Sequence, residues 1–183
     1  MYMLKNSMGI KNAYKNKNIL VTGGTGSIGL ELVKQLISCK PKSIKVLTND
    51  ENSIFDSSNI IGKNKIIKYI LGDIRDKDRC QLALRHVDIV FHAAAMKHID
   101  ICEENPFDAI KTNVIGTSNM LEASISEGIS KFIFISTDKA TNPTTTLGAS
   151  KLLAERLTLD AGTSSGNQKM IFSIVRFGNV IGS

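Results

Sequence analysis

The stretch Asn18–Gly29, NILVTGGTGSIG, constrains this chain more than any other, because an apolar run enters a glycine-rich turn and an amphipathic segment leaves it. A continuous apolar run of this length suits a strand buried on both faces. Gly23, Gly26 and Gly29 recur at every third position, a spacing that permits a tight turn and close approach of the backbone to a pyrophosphate. The helix predicted to start near Ser27 would aim unpaired N–H groups and the positive end of its dipole at those phosphates. With a second strand following roughly twenty residues on, the context points to a dinucleotide held by Gly23, Thr25, Gly26, Ser27, Ile28 and Gly29.

The same alternation continues to the end of the chain. SIKVLT (43–48), KIIKYIL (65–71), DIVFHA (88–93), KFIFIST (131–137) and IFSIVRF (171–177) are further strand candidates, rich in Ile, Val and Phe. Helical periodicity fills most gaps, most clearly after Asn105, which is suited to an N-cap with Pro106 at the first helical position. Phe107, Ile110, Val114, Leu121 and Ile125 would share the buried face of that helix, and Gly128 would stop it. Repeated strand-helix-strand units need right-handed crossovers, so the expected fold is α/β, a doubly wound parallel sheet of order 3-2-1-4-5-6. Residues 1–17 read as a flexible basic leader and 18–183 as the dinucleotide-binding domain, expected to be the N-terminal part of a longer enzyme. GTSSGNQ (162–168) reads as a surface loop.

Charge and composition narrow the partners. The net charge of +6 owes much to Lys5, Lys11, Lys15 and Lys17 in the leader, and aromatics make up only 5% with no Trp, so stacking platforms for single strands are missing. No nucleic-acid partner is expected. No apolar run reaches the roughly 18 residues needed to span a bilayer, and the start lacks a secretory pattern, so a cytoplasmic protein without a membrane span is expected. Cys39, Cys80 and Cys102 lack paired spacing and are read as buried, reduced thiols; His86, His92 and His98 lack metal-ligand spacing, and no metal is expected.

Four loops at the carboxyl ends of the strands carry the remaining candidates. At the end of the second strand, Thr48 and Asn49 stand where the adenosine ribose would lie, and Asp50 is either a ribose contact or the cap of the next helix. With no Arg or Lys at that point, the cofactor is NAD or NADP with NAD slightly favoured. Asp73 and Ile74 stand at the adenine position, Asp73 being either an acceptor for the adenine amino group or a helix N-cap. Ala93, Ala94 and Ala95 are small enough for a nicotinamide ribose to lie against backbone, and Lys97 either projects into the site or is solvated. In STDKATNPTTTLGASK, Thr137 can donate to a substrate oxygen, Asp138 and Lys139 set acid beside base, and Leu147 and Lys151 share a helix face directed at the nicotinamide ribose.

Read in order, the glycine fingerprint, AAAMK, NPFDAIKTNVIGT, STDKATNP, GASK and VRFGNVIGS resemble the extended short-chain dehydrogenases/reductases. More narrowly, the chain resembles the CapD-like polysaccharide-biosynthesis family, whose members include UDP-N-acetylglucosamine 4,6-dehydratases. The resemblance covers residues 18–183 and implies a nucleotide-sugar substrate, a homo-oligomer in the full-length form, and a 4,6-dehydration that proceeds through oxidation at sugar C4. It implies that Lys139 takes the C5 proton, Asp138 protonates the departing C6 hydroxyl and Thr137 holds the C4 oxygen. Both Asp138 and Lys139 are then expected to have pKa values pulled toward neutrality by burial and by each other. Lys97 and Ser136 would seat the sugar, Asn113 would support an active-site water chain on the cofactor side, Asn179 would contact the nucleotide-sugar and Val180 would pack on the cofactor. A C4 epimerase or a noncatalytic dinucleotide-binding module are the alternatives.

One departure bears on mechanism. Leu147 stands where many relatives carry the tyrosine that deprotonates the C4 hydroxyl, and leucine can neither give nor take a proton. Asp138, Lys139 or a water held by Lys151 is left to accept it.

Overall fold

The computed structural model describes residues 9, 11–164 and 169–180. Strands β1 (Asn18–Thr22), β2 (Ser43–Thr48), β3 (Ile67–Leu71), β4 (Ile89–His92), β5 (Lys131–Thr137) and β6 (Ile171–Phe177) form one parallel sheet in the order β3-β2-β1-β4-β5-β6. In register, Ile19 sits opposite Ile44 and Ile89, and Val21 opposite Val46 and Phe91. Successive residues of a strand point to opposite faces, so β1 sends Ile19 and Val21 into one core and Leu20 into the other.

Helices α1 (Ser27–Ser38) and α2 (Glu51–Ile61) flank the first face, where Val33, Leu36 and Ile61 pack against the odd-numbered β1 residues. Helices α3 (Lys77–Leu84), α6 (Gly116–Glu127) and α7 (Thr146–Ser164) flank the second, around Cys80, Leu84, Met120, Phe132, Phe134 and Ala154. Between them lie α4 (Ile99–Glu104), α5 (Pro106–Ile110) and a π-helical turn, Lys111–Ile115, that runs straight into α6. The three cysteines are free and buried.

Several expectations are corrected. The segment 106–128 is not one amphipathic α-helix: the π turn adds a residue to one turn and rotates the buried stripe, so Phe107 is 80% exposed while Ala109, Asn113, Thr117 and Met120 face inward. Asn105 stands at the N-cap position with Pro106 first, as expected, but its side chain caps no N–H, and its amide donates to the Ile101 carbonyl instead. β3 starts at Ile67 rather than residue 65, because Asn64 accepts from the Ile66 N–H through its side chain and holds that turn off the ladder. α7 extends through residues 162–164, which were expected to be loop, and residues 165–168 lie outside the described residues. In the expected leader, residues 11–14 form a helical turn with Tyr14 packed 5.9 Å from Phe91. Residues 1–8 and 10 lie outside the described residues.

Candidate functional site

All four loops open onto one cleft of about 1020 Å³ along the carboxyl edge of the sheet. Its floor begins at the glycine turn. Gly23 has φ +63, and a Cβ there would lie 2.8 Å from the backbone of Ala94, so the turn and the loop after β4 touch main chain to main chain. A Cβ on Gly29 would overlap the Gly23 carbonyl oxygen, so α1 starts as close to β1 as a helix can. No side chain caps α1 at Gly26 and no acidic residue stands in its first turn, which leaves its first N–H groups available to an anion. Thr25, Gly26, Ser27, Ile28 and Gly29 all line the cleft beside this helix start.

Past the glycine turn the cleft is bounded by Asn49, Asp73 and Ile74. Asp50 lines it too, but its carboxylate accepts from the N–H groups of Asn52 and Ser53 and caps α2. Asp73 is not a cap: Asp76 caps α3, while Asp73 accepts from the Arg75 N–H at 2.8 Å, from its Nη2 at 2.7 Å and from Asn49 at 3.3 Å. Burial would raise the Asp73 carboxyl, but the hydrogen bonds from Arg75 and Asn49 outweigh it and hold it below the ordinary value. Arg75, which also lines the cleft, was missed; its spacing two residues after Asp73 is the signal of a side chain folding back onto its own turn.

At the other end stand Ala93, Ala94, Lys97, Ser136, Thr137, Lys139, Lys151, Asn179 and Val180. Two expected residues are not brought to the lining. Asn113 lies behind it, its amide spent on the Met96 N–H and carbonyl and on the Ser150 hydroxyl. Asp138 also lies off the lining, and its side chain is 59% exposed. The expectation that burial brings its pKa toward neutrality is corrected: the Thr137 hydroxyl, then the Lys139 ammonium, hold the carboxyl below its ordinary value. Lys139 reaches Asp138 at 3.3 Å and Asn179 at 3.2 Å, bridging the turn after β5 to the segment after β6.

Lys151 is the buried cation of the site. Its Nζ donates to the Ile135 carbonyl at 2.7 Å and lies 4.1 Å over the Phe134 ring. Burial lowers its pKa to about 7, with the Glu155 charge opposing. Leu147, one turn earlier, is buried against Cys102 and Ala109.

Glu155 was also missed. It accepts from the Ser136 hydroxyl and from Arg176 Nε at 2.8 Å and Nη2 at 2.6 Å, while Arg176 Nη1 donates to Thr141 at 3.1 Å. Burial would raise its carboxyl, but the hydrogen bonds from Arg176 and Ser136 bring it below the usual range. This cluster joins β5, β6, α7 and the turn after Thr137. Its one sequence signal is Glu155 standing one helical turn after Lys151.

The model of the polysaccharide biosynthesis protein family matches residues 19–183. A Methanocaldococcus jannaschii protein described as an uncharacterized membrane protein is 55% identical over 174 residues, covering 95% of this chain and 52% of that one. A UDP-N-acetylglucosamine 4,6-dehydratase (inverting) of Campylobacter jejuni is 45% identical over 171 residues, covering 93% of this chain and 51% of that one. The solved structure of Pen from Bacillus thuringiensis superposes with a TM-score of 0.90 at 44% identity, covering 93% of this chain and 53% of that one. The chain thus spans about half the length of the relatives it matches. Among the described residues, no helix is long and apolar enough to cross a membrane, and no group of three His, Cys, Asp or Glu could hold a metal ion.

Proposed function

Since the chain belongs to the polysaccharide biosynthesis protein family, we propose that it is the dinucleotide-binding part of a nucleotide-sugar 4,6-dehydratase. Its substrate is of the UDP-N-acetylglucosamine type and its cofactor NAD. The observation that carries the reading is the convergence of Thr137, Lys139 and Lys151 on the same cleft as the uncapped α1 terminus. The backbone contact between Gly23 and Ala94 leaves a floor on which a pyrophosphate and a ribose fit.

The glycine turn at Gly23–Gly29 with Ala93 and Ala94 would hold the dinucleotide, whose chemistry there would be reversible hydride transfer between sugar C4 and C6. The chain's own residues place the sugar and move protons. Thr137 holds the C4 oxygen. Lys151, whose pKa of about 7 suits a general base, accepts the C4 proton directly or through a water, the task Leu147 cannot perform. Lys139 removes the C5 proton made acidic by the C4 ketone, the C6 hydroxyl leaves as water with a proton from Asp138, and Lys139 returns a proton to C5 as the hydride reaches C6. Asp138 takes that role only when a bound sugar displaces Thr137 and Lys139 from its carboxylate.

NAD is favoured over NADP because the cation nearest the ribose end, Arg75, is already committed to Asp73 and stands 3.7 Å from Asp108. A 2′-phosphate would meet Asp50 and Asp73 without a free counter-charge.

The test is to incubate the chain, together with a form extended through any downstream coding sequence, with UDP-N-acetylglucosamine and NAD and to follow product mass. Loss of one water is expected. A C4 epimerase is the second reading, favoured by the exposed, ionised Asp138, since epimerisation needs no acid at C6. Unchanged mass with inverted C4 would establish it, and no turnover would sink both.

A further inference from the structure

A chain of hydrogen bonds runs beneath the floor of the cleft, and its direction follows from its donors and acceptors together with the burial of its histidine. Thr117 Oγ1 donates to the Asn113 carbonyl at 2.7 Å, and a carbonyl can only accept. The single hydroxyl hydrogen of Thr117 is thereby used, so its 3.1 Å contact with His92 Nε2 requires a proton on that nitrogen. On the other side, Thr22 Oγ1 accepts the Ala94 N–H at 3.2 Å and lies 2.7 Å from His92 Nδ1. His92 is fully buried and its ring neutral, so with the proton on Nε2 the Nδ1 atom is left as an acceptor and takes the Thr22 hydrogen, while Thr22 accepts the Ala94 N–H through a lone pair. The order is therefore Ala94 N–H to Thr22, Thr22 to His92, His92 to Thr117, and Thr117 to Asn113. A doubly protonated imidazole would break this order at Thr22.

The two ends of the chain both act on one loop. Thr22 holds Ala94 through its hydroxyl and Ala93 through its carbonyl, while the Asn113 side chain holds both backbone groups of Met96. Ala94 is also the backbone against which Gly23 is packed. We propose that His92 is a positioning residue, kept as the neutral Nε2–H tautomer, whose directional chain fixes Ala93–Met96 against the glycine turn and so preforms the floor on which a dinucleotide lies. The positioning role rests on the dinucleotide reading above; the tautomer does not.

The surroundings agree with a neutral ring. His92 is fully buried against Phe132 and Phe134 of β5, and the Lys151 charge faces it from α7. Burial, and then Lys151, push its pKa down to about 3.

Two measurements on the whole chain test this. In a protein labelled with nitrogen-15 histidine, His92 should show a pyrrole-like Nε2, a pyridine-like Nδ1 and no titration between about pH 5 and 8. A proton on Nδ1, or a midpoint near the ordinary histidine value, would overturn the assignment. Titration with NAD should show Thr22→Val and Thr117→Val binding about tenfold more weakly, with Thr22→Ser and Thr117→Ser within about twofold of the parent, since serine restores the hydroxyl. Equal binding by parent and Val variants would overturn the positioning role alone. A parent chain that binds neither NAD nor NADP would overturn the dinucleotide reading and the positioning role with it.

Discussion

The wall of the cleft formed by the Gly23–Gly29 turn and the Ala93–Met96 loop is backbone packed on backbone, pinned from behind by buried Thr22, His92 and Asn113. The opposite rim, at Thr137–Ala140 and Asn179, is held by side chains that reach one another through solvent-exposed atoms, with Glu155 and Lys151 buried beneath. The first wall has a fixed shape before any ligand arrives. The second can exchange its internal contacts for contacts with a ligand, because each bond it gives up is exposed and individually weak. On the proposed function, binding a cofactor and turning over a substrate would thus call on different halves of the same cleft.

The two walls should differ most in their response to substitution at Gly29. Gly29→Ala places a methyl on the Gly23 carbonyl and 2.7 Å from the Gly24 Cα, backbone atoms with no room to yield. A loss on the order of 3 kcal/mol in urea unfolding is expected. Gly26→Ala, whose methyl would meet the Gly23 carbonyl at 3.5 Å, should unfold close to the parent. If the two behave alike, the floor is not built by backbone contact.

On the rim side, the buried Lys151 makes stability depend on pH. Its folded pKa of about 7 lies below the ordinary 10.5, so between these values the unfolded chain binds the extra proton and stability rises with pH, by up to about 1.4 kcal/mol per unit. Below about pH 7 both states are protonated and this contribution to the slope vanishes. Lys151→Met should flatten the alkaline limb while leaving the rest of the unfolding profile in place.

Glu155→Gln should have a smaller effect with two signatures. The Glu155 carboxyl titrates below its ordinary 4.5, so its contribution is complete above that pH and is lost on acidification; the variant should lack this acid limb. Because the Glu155 charge raises the Lys151 pKa, the alkaline limb should also shift its lower bound downward. Asp138→Asn should change the melting temperature least of all, since Asp138 is an exposed loop carboxylate, yet on the proposed function it should abolish dehydration. A large drop in melting temperature would mean that the rim is structurally as rigid as the floor.

What could be read from the residues in order is what depends on neighbours in the chain. The strand-turn-helix at Asn18–Ser38 and the strand order followed from apolar runs and turn spacing, and six of the cleft's glycine-turn residues were identified directly. What depended on distant partners was not legible. His92 and Thr22 are 70 positions apart and meet only because β4 pairs with β1. Glu155 and Arg176 meet because α7 folds back over β6, and neither residue stands out in its own segment. The stripe at Phe107 and Ile110 failed for another reason: a period of 3.6 was assumed across a turn that does not have it.

That turn has a consequence for chain length itself. In Lys111–Ile115, what matters is the number of residues as much as their kind. Removing one residue there would let an ordinary α-helical turn close between the same flanking helices, which would keep their orientation, while Asn113 would lose its place on the widened turn. Asn113 would then leave Met96, and the loop after β4 would come loose, although every residue lining the cleft kept its identity. A family of such chains should therefore tolerate substitution in this segment more readily than any change in its length.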